Sequence, residues 1–411
     1  MSNIEASGDA DDAVRPGPLT GVTVVDLGQI YQGPYATLLM AMAGARVIKV
    51  EPPDGEALRR RERVGLGASF PIAILNSCKE AVTLNLKTER GRALLGDMVS
   101  RADVLLENYA PGVLDRLGCG ADVLMERNPQ LIYASGSGFG LSGPDKDSLA
   151  MDLTVQAVSG VMSVTGLGDG PPLKAGPAIA DFLSGIHLYG AVTTALFERE
   201  RTGRGRVVEV AMQEAVFPSL TSNLGMLQDM AGAPPPRTGN RHGGLAIAPY
   251  NVYACADGHI AVICVKEGHW QNLLKVMGRT DLADDPRFIE NAARVENLDA
   301  TDQLVQDWAS GLTRAEIFQV TRENHVPSAP VRDLTEVVDD AHMHERGMLA
   351  RIDHPDFGEV VLPSSPLRYH GTPQAKPTPH PKIGEHNEGV YGDWLGLDQT
   401  EIAALKRDGV I

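Results

Sequence analysis

Short apolar runs rich in β-branched residues alternate with apolar stretches at helical spacing through the first half of the chain. Gly21–Leu27 predicts a buried strand, Pro34–Ala43 a helix that ends at Gly44, and Arg46–Val50 a second buried strand. These three elements form a βαβ unit. The same pattern predicts further strands at Val82–Leu86, Asp103–Glu107, Leu131–Ala134 and Arg206–Met212, and helices at Thr88–Val99, Met151–Val164, Leu183–Phe197 and Gln213–Met230. The fold class predicted is therefore α/β.

The pattern changes after the Pro-rich segment 231–239, AGAPPPRTG. Tyr250–Ala254 and Ile260–Val265 predict a β-hairpin, and helices follow at His269–Met277, Asp302–Ser310 and Arg314–Glu323. We interpret 19–231 as a large domain and 232–325 as a smaller α+β domain. Residues 1–18, acidic and without an apolar core, are predicted to be a disordered leader.

Composition excludes several classes of protein. The formal net charge of −16 over 411 residues argues against a nucleic-acid partner. No uninterrupted apolar run reaches the roughly 18 residues of a membrane span, so no membrane is expected. The four cysteines stand singly, which is typical of a reducing compartment, and we predict a cytoplasmic protein.

The turn after the first strand and the histidine spacings do not match common ligand motifs. The turn after the first strand, GQIYQGP, is not GxGxxG, and the later SGSGFG stretch lacks GK[ST]. The histidines show no HExxH spacing, and we predict no metal. Nicotinamide, flavin and P-loop chemistry are thereby disfavoured.

One acid, Asp181, lies in the small and apolar stretch 171–190, PPLKAGPAIADFLSGIHLYG. It falls where a Gly/Pro-rich entry becomes a helix, so it could serve simply as the helix N-cap. A carboxylate at a helix start, backed by backbone N–H groups, could equally act as a nucleophile or base. The stretch alone leaves both interpretations open.

Polar and aromatic residues follow the predicted parallel strands at their carboxyl ends, where ligand crevices lie in open α/β sheets. They are Lys87, Asn108, Tyr109 and Arg116. Two cations could hold phosphates and an aromatic ring could stack on a base. Each residue taken singly is more typical of an ordinary surface position.

Several long stretches, in order along residues 20–411, resemble the family III CoA-transferases. They include DLGQIYQGPYATLLMAMAGARVIKVEPPDGE, ADVLLENYAPGVLDRLG, GPPLKAGPAIADFLSGIH and HPDFGEVVLPSSPLRYHGTP. The resemblance implies a Rossmann-like large domain completed by the linker and C-terminal segment 326–411. It also implies an interlocked homodimer, and coenzyme A thioesters as substrates with no tightly bound cofactor.

The resemblance also implies a role for Asp181. In the motif matched by Ala180-Asp181-Phe182-Leu183-Ser184-Gly185, the family's aspartate attacks an acyl-CoA and then carries CoA as an aspartyl thioester. A small free carboxylic acid takes the CoA. The CoA contacts of the family carry over to Tyr31, Leu84, Asn85, Leu86, Lys87, Asn108, Tyr109, Arg116 and Leu117.

This sequence departs from the family at a few positions. Pro52 stands where some members have an arginine, so a phosphate contact would be missing or supplied by Arg59–Arg61. Only Gly243 and Gly244 stand near the family's longer glycine loop. Met151 replaces the racemases' histidine before Asp152, and methionine cannot transfer a proton. Asp152 and Glu267 are expected as active-site neighbours.

We therefore predict a CoA-transferase. The alternatives are an acyl-CoA racemase or intramolecular CoA-transfer isomerase, and a non-catalytic protein that binds CoA thioesters. The sequence does not identify the acids, and a short dicarboxylate such as succinate is a hypothesis from nearby basic residues. Those able to meet a substrate carboxylate are Lys174, His187, Arg237, Arg241 and His242.

Overall fold

The computed structural model describes residues 14–61, 69–232, 234–235 and 237–411. Most of the predicted leader, residues 1–13, lies outside these ranges. The described chain divides into two compact units. The first holds the residues up to Asp152 together with Ile179–Ala215 and Val338–Ile411, and the second holds Leu153–Ala178 and Val216–Val337.

The first unit is built on a parallel sheet of six strands among its described residues, in the order β3-β2-β1-β4-β5-β6. This is the order of the doubly wound sheets that bind dinucleotides, and it confirms the predicted α/β class with parallel strands. The strands are β1 Thr23–Asp26, β2 Arg46–Glu51, β3 Glu80–Thr83, β4 Val104–Glu107, β5 Ile132–Ser137 and β6 Arg206–Ala211.

Helices follow the strands in the α/β alternation. Up to the second unit's long segment they are α1 Gln32–Met42, α2 Leu58–Arg61, α3 Phe70–Leu75, α4 Glu89–Val99, α5 Val113–Arg116, α6 Ala121–Arg127, α7 Asp152–Val158, α8 Val161–Val164, α9 Ile179–Thr202 and α10 Met212–Val216. From the start of that segment onward they are α11 Thr221–Asp229, α12 Glu267–Val276, α13 Asn291–Glu296, α14 Leu298–Ala309, α15 Arg314–Glu323, α16 Leu334–Val338, α17 Ala341–Glu345 and α18 Gln399–Arg407. Thr88 caps α4 by accepting from the Gly91 N–H.

Both faces of the sheet are covered, as a parallel sheet requires. On one face α1 and α9 bury Met40, Leu188 and Val192 against the strands. On the other face α4 and α6 pack together with the C-terminal residues, which contribute side chains such as Tyr391 and Ile402. The chain's last segment is therefore part of the core of the first unit.

The C-terminal segment also covers the outer edge of β3. The Asn387 amide accepts from the Thr83 N–H at 2.9 Å and donates to Thr83 Oγ1 at 2.8 Å. The Tyr391 hydroxyl donates to the Thr83 carbonyl at 2.7 Å, and the Asn85 N–H donates to the Val410 carbonyl. An exposed strand edge is a site for unwanted pairing, and this segment occupies it. The segment also contains a π-helix, Glu388–Trp394, and a hairpin of β10 Leu349–His354 and β11 Gly358–Pro363.

The second unit has its own antiparallel sheet of β7 Tyr250–Cys255, β8 Gly258–Ile263 and β9 Ser328–Pro330. Its core centres on Trp270, Leu273 and Ile317. The predicted hairpin is thus confirmed. The predicted small domain, 232–325, lies inside the unit's longer segment, and the unit also takes in Leu153–Ala178.

Four predicted elements differ in the structure. The helix of Asp181 begins at Ile179, before the predicted Leu183, and β3 ends at Thr83 instead of Leu86. The predicted helix 213–230 is interrupted by a 3₁₀ turn, Phe217–Leu220, because Pro218 cannot donate a backbone hydrogen bond. The predicted helix 151–164 breaks at Gly160, whose φ of 92° is left-handed.

Helix α9 has 24 residues and is long and apolar enough to cross a membrane by length and composition alone. Its Leu188 and Val192 are fully buried against the sheet. The core helix of a globular domain passes the same test. Its packing within the first unit is that of a core helix.

Candidate active site

Asp181 is the third residue of α9 and its side chain is buried, with 8% of the residue exposed. The interpretation of Asp181 as the N-cap is therefore wrong. Asp152 serves the helix end instead, because its Oδ1 accepts from the Ala180 N–H at 2.9 Å and from the Asp181 N–H at 3.4 Å. The Asp181 side chain consequently lines a cavity.

Helix α9 approaches α1 closely at this point. One turn beyond Asp181, a Cβ on Gly185 would lie 2.8 Å from the Gln32 carbonyl oxygen, so only glycine fits. Phe182 packs against the rings of Tyr31 and Tyr35, with centroids 6.1 and 4.7 Å away. This contact brings Asp181 to the start of α1, where the predicted CoA contact Tyr31 lies.

The loop between β1 and α1 is held by side chains of β1 and β2 and by Asn108, which directly follows β4. Asp26 accepts from the Gly28 N–H at 2.8 Å and Lys49 donates to the Gly28 carbonyl. The Asn108 amide accepts from the Gln29 N–H at 2.7 Å and donates to the Gln29 carbonyl at 3.0 Å. The loop's backbone is thus fixed at consecutive residues, and the Asn108 amide is already engaged.

Ile30 continues this loop in a left-handed conformation, with φ of 64°. A β-branched residue adopts that conformation only under strain. The Glu56 carboxylate accepts from its N–H at 3.1 Å, and Lys49 Nζ lies 3.2 Å from the same carboxyl group. The ion pair is almost fully buried. It stabilises a strained turn beside Asp181.

A second buried ion pair lies next to the first. Lys79 Nζ is 3.0 Å from Asp26 Oδ2, and Thr37 also donates to that carboxylate. Burial opposes ionisation of Asp26, but Lys79, Lys49 and Thr37 outweigh it, so the pKa of Asp26 lies below its ordinary value. Burial lowers the pKa of Lys79 to about 8.

Seven of the nine predicted CoA contacts line a single cavity of about 380 Å³ at the carboxyl ends of the strands. They are Leu84, Asn85, Leu86, Lys87, Tyr109, Arg116 and Leu117. Lys87 and Arg116 are exposed, and neither forms an ion pair within the described ranges. They are therefore available to an anionic ligand.

The Asp181 cavity, of about 270 Å³, adjoins this one because Gln29 and Tyr109 line both. Asn108 lines the Asp181 cavity. Tyr31 packs on Phe182 beside it. The remaining walls carry Gln32, Ser137, Lys146, Ser148 and Met151, among others.

Arg59 and Arg60, two of the three arginines expected to supply the phosphate contact missing at Pro52, have other partners. Arg59 forms a two-point ion pair with Glu51 at 2.6 and 2.7 Å, and it also donates to the Pro381 carbonyl. Arg60 pairs with Asp54 on the surface. The side chain of Arg61 lies outside the described part of the structure. Pro52 itself lines the larger cavity.

Three predicted neighbours, Gly243, Gly244 and Glu267, belong to the second unit. Glu267 is paired with the buried Arg294 at 2.9 Å, and that hydrogen-bonded contact lowers its pKa. The Gly244 N–H donates to His242 Nδ1, and the Gly243 carbonyl accepts from Asn223. All three are thus part of the unit's own hydrogen-bond framework.

The basic residues that the sequence suggests as contacts of a substrate carboxylate also have hydrogen-bond or ion-pair partners nearby. Arg241 pairs with Asp299 and Asp302, and Arg237 donates to the carbonyls of Leu167 and Gly170. Lys174 donates to the carbonyls of Ala175 and Gly176. His187 Nδ1 is hydrogen-bonded to the Leu183 carbonyl.

One group of side chains has the composition of a metal site. His354, Asp356 and His380 offer ligand atoms within 4.8 Å of one another. The Asp356 N–H donates to His354 Nδ1, which leaves the proton on Nε2, 3.0 Å from His380 Nδ1. Burial, helped by Arg59, lowers the pKa of His380 to about 4. These hydrogen bonds engage both ring nitrogens of His354 and Nδ1 of His380.

Three residues at or beside this site, Gln32, Lys49 and Glu56, are not predicted from the sequence. Of the three, only Lys49 has a signal in the sequence. A lysine inside the apolar strand RVIKV must be buried, and a buried lysine needs a partner of opposite charge. Gln32 and Glu56 lie in loop-like or helix-starting sequence with no comparable signal.

Comparisons with known proteins identify the family of this chain. A family model described as "CoA-transferase family III" matches residues 19–387. Among curated relatives, formyl-CoA:oxalate CoA-transferase from Streptomyces avermitilis is 38% identical over 96% of this chain and 99% of its own. Acetyl-CoA:oxalate CoA-transferase from Acetobacter aceti is 37% identical over 91% of this chain and 95% of its own.

A solved structure is similar over most of its length. The crystal structure of a CAIB/BAIF family protein from Brucella suis superposes with a TM-score of 0.80 at 32% identity, covering 92% of this chain and all of that one. The family match and the curated relatives each extend over most of the sequence. This chain belongs to CoA-transferase family III.

Proposed function

We propose that this enzyme moves CoA from an acyl-CoA donor to a free carboxylic acid through a thioester on Asp181. The observation that carries the proposal is the buried Asp181 carboxylate in a cavity that shares its wall with the cavity of predicted CoA contacts. The sulfur of a CoA bound in the cavity of predicted CoA contacts must reach the Asp181 carboxylate in the neighbouring cavity. Their common wall of Gln29 and Tyr109 supports such a path.

The chemistry needs one carboxylate acting as a nucleophile. Asp181 attacks the thioester carbonyl and CoA leaves as the thiolate, giving an acyl-aspartyl anhydride. The thiolate then attacks the aspartyl carbonyl, which releases the first acid and leaves aspartyl-CoA. The acceptor carboxylate and the returning thiolate repeat these steps in reverse. No proton or electron is gained or lost overall.

The surroundings of Asp181 suit this task. It lies in the first turn of a 24-residue helix, whose positive end favours negative charge. Asp152 fixes the backbone of that turn through the Ala180 N–H. Burial removes most water from the carboxylate, which preserves its nucleophilicity and limits hydrolysis of the anhydride.

We further propose that the first unit binds CoA in the larger cavity. Its walls are mostly apolar, with Lys87 and Arg116 exposed at the edge. Such walls suit the pantetheine arm and the base, and the two cations suit phosphates. The acid is proposed to be a short dicarboxylic acid, since oxalate and mesaconate appear in the names of relatives.

An interlocked homodimer is part of this proposal. Large apolar side chains are exposed on α9 and on the edge strand β6 of the first unit, including Ile186, Phe197 and Val207. An edge strand with apolar neighbours is usually covered. Light scattering on the purified protein is expected to give twice the mass of the 43.9 kDa chain.

Intact-protein mass spectrometry tests the mechanism. The protein is incubated with a panel of acyl-CoAs, and wild type should gain CoA less one water on the peptide that holds Asp181. Hydroxylamine should convert this adduct to a hydroxamate at Asp181. Asp181→Asn should form no adduct, whereas the matched surface change Asp122→Asn should behave as wild type.

Two other outcomes would replace the proposal. Deuterium entering the acyl α-carbon without an adduct would indicate a racemase, although Met151 lines the cavity where racemases need a proton carrier. Binding of thioesters with neither signal, unchanged in the Asp181→Asn protein, would indicate a non-catalytic CoA-binding protein.

A further inference from the structure

The side-chain amide of Gln32 is buried, and its Nε2 donates no hydrogen bond within the described structure. The residue is 2% exposed, and its Nε2 finds no hydrogen-bond partner there. Leaving a buried N–H group unpaired costs roughly 1–3 kcal/mol. Such a group in a native fold calls for an explanation, and a ligand that accepts the hydrogen bond is one.

The amide lies in the wall of the Asp181 cavity. Gln32 is the first residue of α1, and its backbone is pressed against the Asp181 helix, where its carbonyl oxygen would lie 2.8 Å from a Cβ at Gly185. The side chain lies over Gly136 at the end of β5, where a Cβ would come within 2.6 Å of Oε1. The absence of a side chain at Gly136 therefore makes room for the amide.

The cavity around Gln32 holds further donors. Ser137 is buried beside Gly136, and the exposed Lys146 and Ser148 also line the cavity. Lys146 has no carboxylate partner in the described ranges. An apolar acyl chain would leave the Gln32 N–H groups desolvated and unpaired. A chain that carries an oxygen would satisfy them.

We propose that Gln32 is a specificity-determining residue, which donates from Nε2 to an oxygen of the acyl chain beyond the reacting carbonyl. The inference rests on the proposed function, and it names the feature of the acid that is recognised: a second carboxylate or another oxygen. Lys146 adds positive charge at the same cavity. The enzyme then discriminates against acids of equal length that end in a methyl group.

The test compares two thioesters that differ only at the far end of a four-carbon acyl group, succinyl-CoA and butyryl-CoA. The rate of adduct formation on Asp181 is measured in a single turnover for each. Because both carry the same CoA, changes in CoA binding cancel in the ratio of rates. Wild type should prefer succinyl-CoA by roughly 10- to 100-fold, the effect of one hydrogen bond to a charged group.

Gln32→Leu keeps the size of the side chain and removes the donor. It should lower the rate of adduct formation from succinyl-CoA by about that factor and leave the rate from butyryl-CoA nearly unchanged. Gly136→Ala should give the same loss of preference, because the new Cβ displaces the amide. Gln319→Leu on the exposed face of α15 is the matched control and should retain the wild-type ratio. Thermal unfolding confirms that each variant is folded.

The outcomes separate this inference from the function on which it rests. Equal rates for the two thioesters in wild type, or equal slowing of both by Gln32→Leu, would overturn the role of Gln32 and leave Asp181 as the nucleophile. No adduct with any thioester would overturn the proposed function, and this inference with it.

Discussion

Glu107 is a buried carboxyl group at the end of β4, next to the predicted CoA contacts. It is 6% exposed, and its Oε2 accepts from the Tyr109 N–H at 2.8 Å. Burial raises its pKa from 4.5 to about 7. The carboxyl group therefore stays protonated in the folded protein over a pH range in which the unfolded chain is ionised.

The sign of the pH dependence follows from this shift. Between pH 4.5 and 7 the folded state binds more protons than the unfolded state, so the free energy of unfolding falls as pH rises. The loss is complete above pH 7 and amounts to ~3 kcal/mol. Glu107→Gln should remove this loss and raise the free energy of unfolding at pH 8, with little effect at pH 4.5.

Urea unfolding at several pH values measures the effect. Glu126→Gln, an exposed position on α6, is the control and should follow the wild-type curve. A Glu107→Gln curve parallel to wild type from pH 4.5 to 8 would contradict the buried, protonated state.

At the residue scale, the sequence predicts candidate site residues where a reactive or charged side chain stands out from its neighbours. Asp181 is the one acid in an apolar stretch, and the residues after the strands assemble as expected from the edge of a parallel sheet. Gln32 could not be found in this way. Its importance comes from an unpaired buried atom, which is a property of packing and not of residue order.

The element with the most unusual construction is the β1–α1 loop. Its left-handed Ile30 persists only because neighbouring side chains bond the backbone around it. Lys49 contributes twice, by donating to the Gly28 carbonyl and by neutralising Glu56. Both ionic side chains are 1% exposed.

Removing one partner of this pair should be strongly destabilising. Lys49→Met leaves the Glu56 carboxylate buried without a counter-charge, which costs about 3–5 kcal/mol in the free energy of unfolding. The double variant Lys49→Met/Glu56→Gln should recover part of that loss, because Gln can still accept from the Ile30 N–H. Urea unfolding measures both.

The control is Arg279→Met, which removes one partner of an exposed pair with Asp281. It should change the free energy of unfolding by less than about 1 kcal/mol, since exposed pairs contribute little. A double Lys49/Glu56 variant no more stable than the single would show that the buried charge is not the cause.

Element types are predicted better than element ends. The strands of the large sheet follow from their β-branched runs, but β3 ends three residues earlier than predicted because Leu84–Lys87 leave the strand and line a cavity. The early start of α9 depends on Asp152, 29 residues before Asp181 in sequence. A cap supplied from so far away is invisible to a local pattern.

At the scale of the whole molecule, the sequence does not reveal how its two ends meet. Periodicity predicts strands but not their order, because the order depends on which loops cross the sheet. The bonds from Asn387 and Val410 to the β3 edge span more than 300 residues. Only the family resemblance implies that residues 326–411 complete the large domain, and in the structure Val338–Ile411 belong to the first unit.

The closure of the β3 edge links the C-terminus to ligand binding. Asn387 holds Thr83, and the next residues of the chain, Leu84–Lys87, line the cavity that we assign to CoA. Asn387→Leu leaves the Thr83 N–H buried without a partner, which costs roughly 1–3 kcal/mol. It should also weaken the binding of CoA, although Asn387 does not line that cavity.

Urea unfolding and calorimetric titration with CoA measure the two effects. Glu388→Leu, the neighbouring exposed position whose pair with Lys406 lies on the surface, is the matched control and should alter neither quantity strongly. If Asn387→Leu lowered stability but bound CoA as tightly as wild type, the C-terminal segment would support the sheet without shaping the cavity. A parallel loss of both would show that residues 300 positions apart form one binding surface.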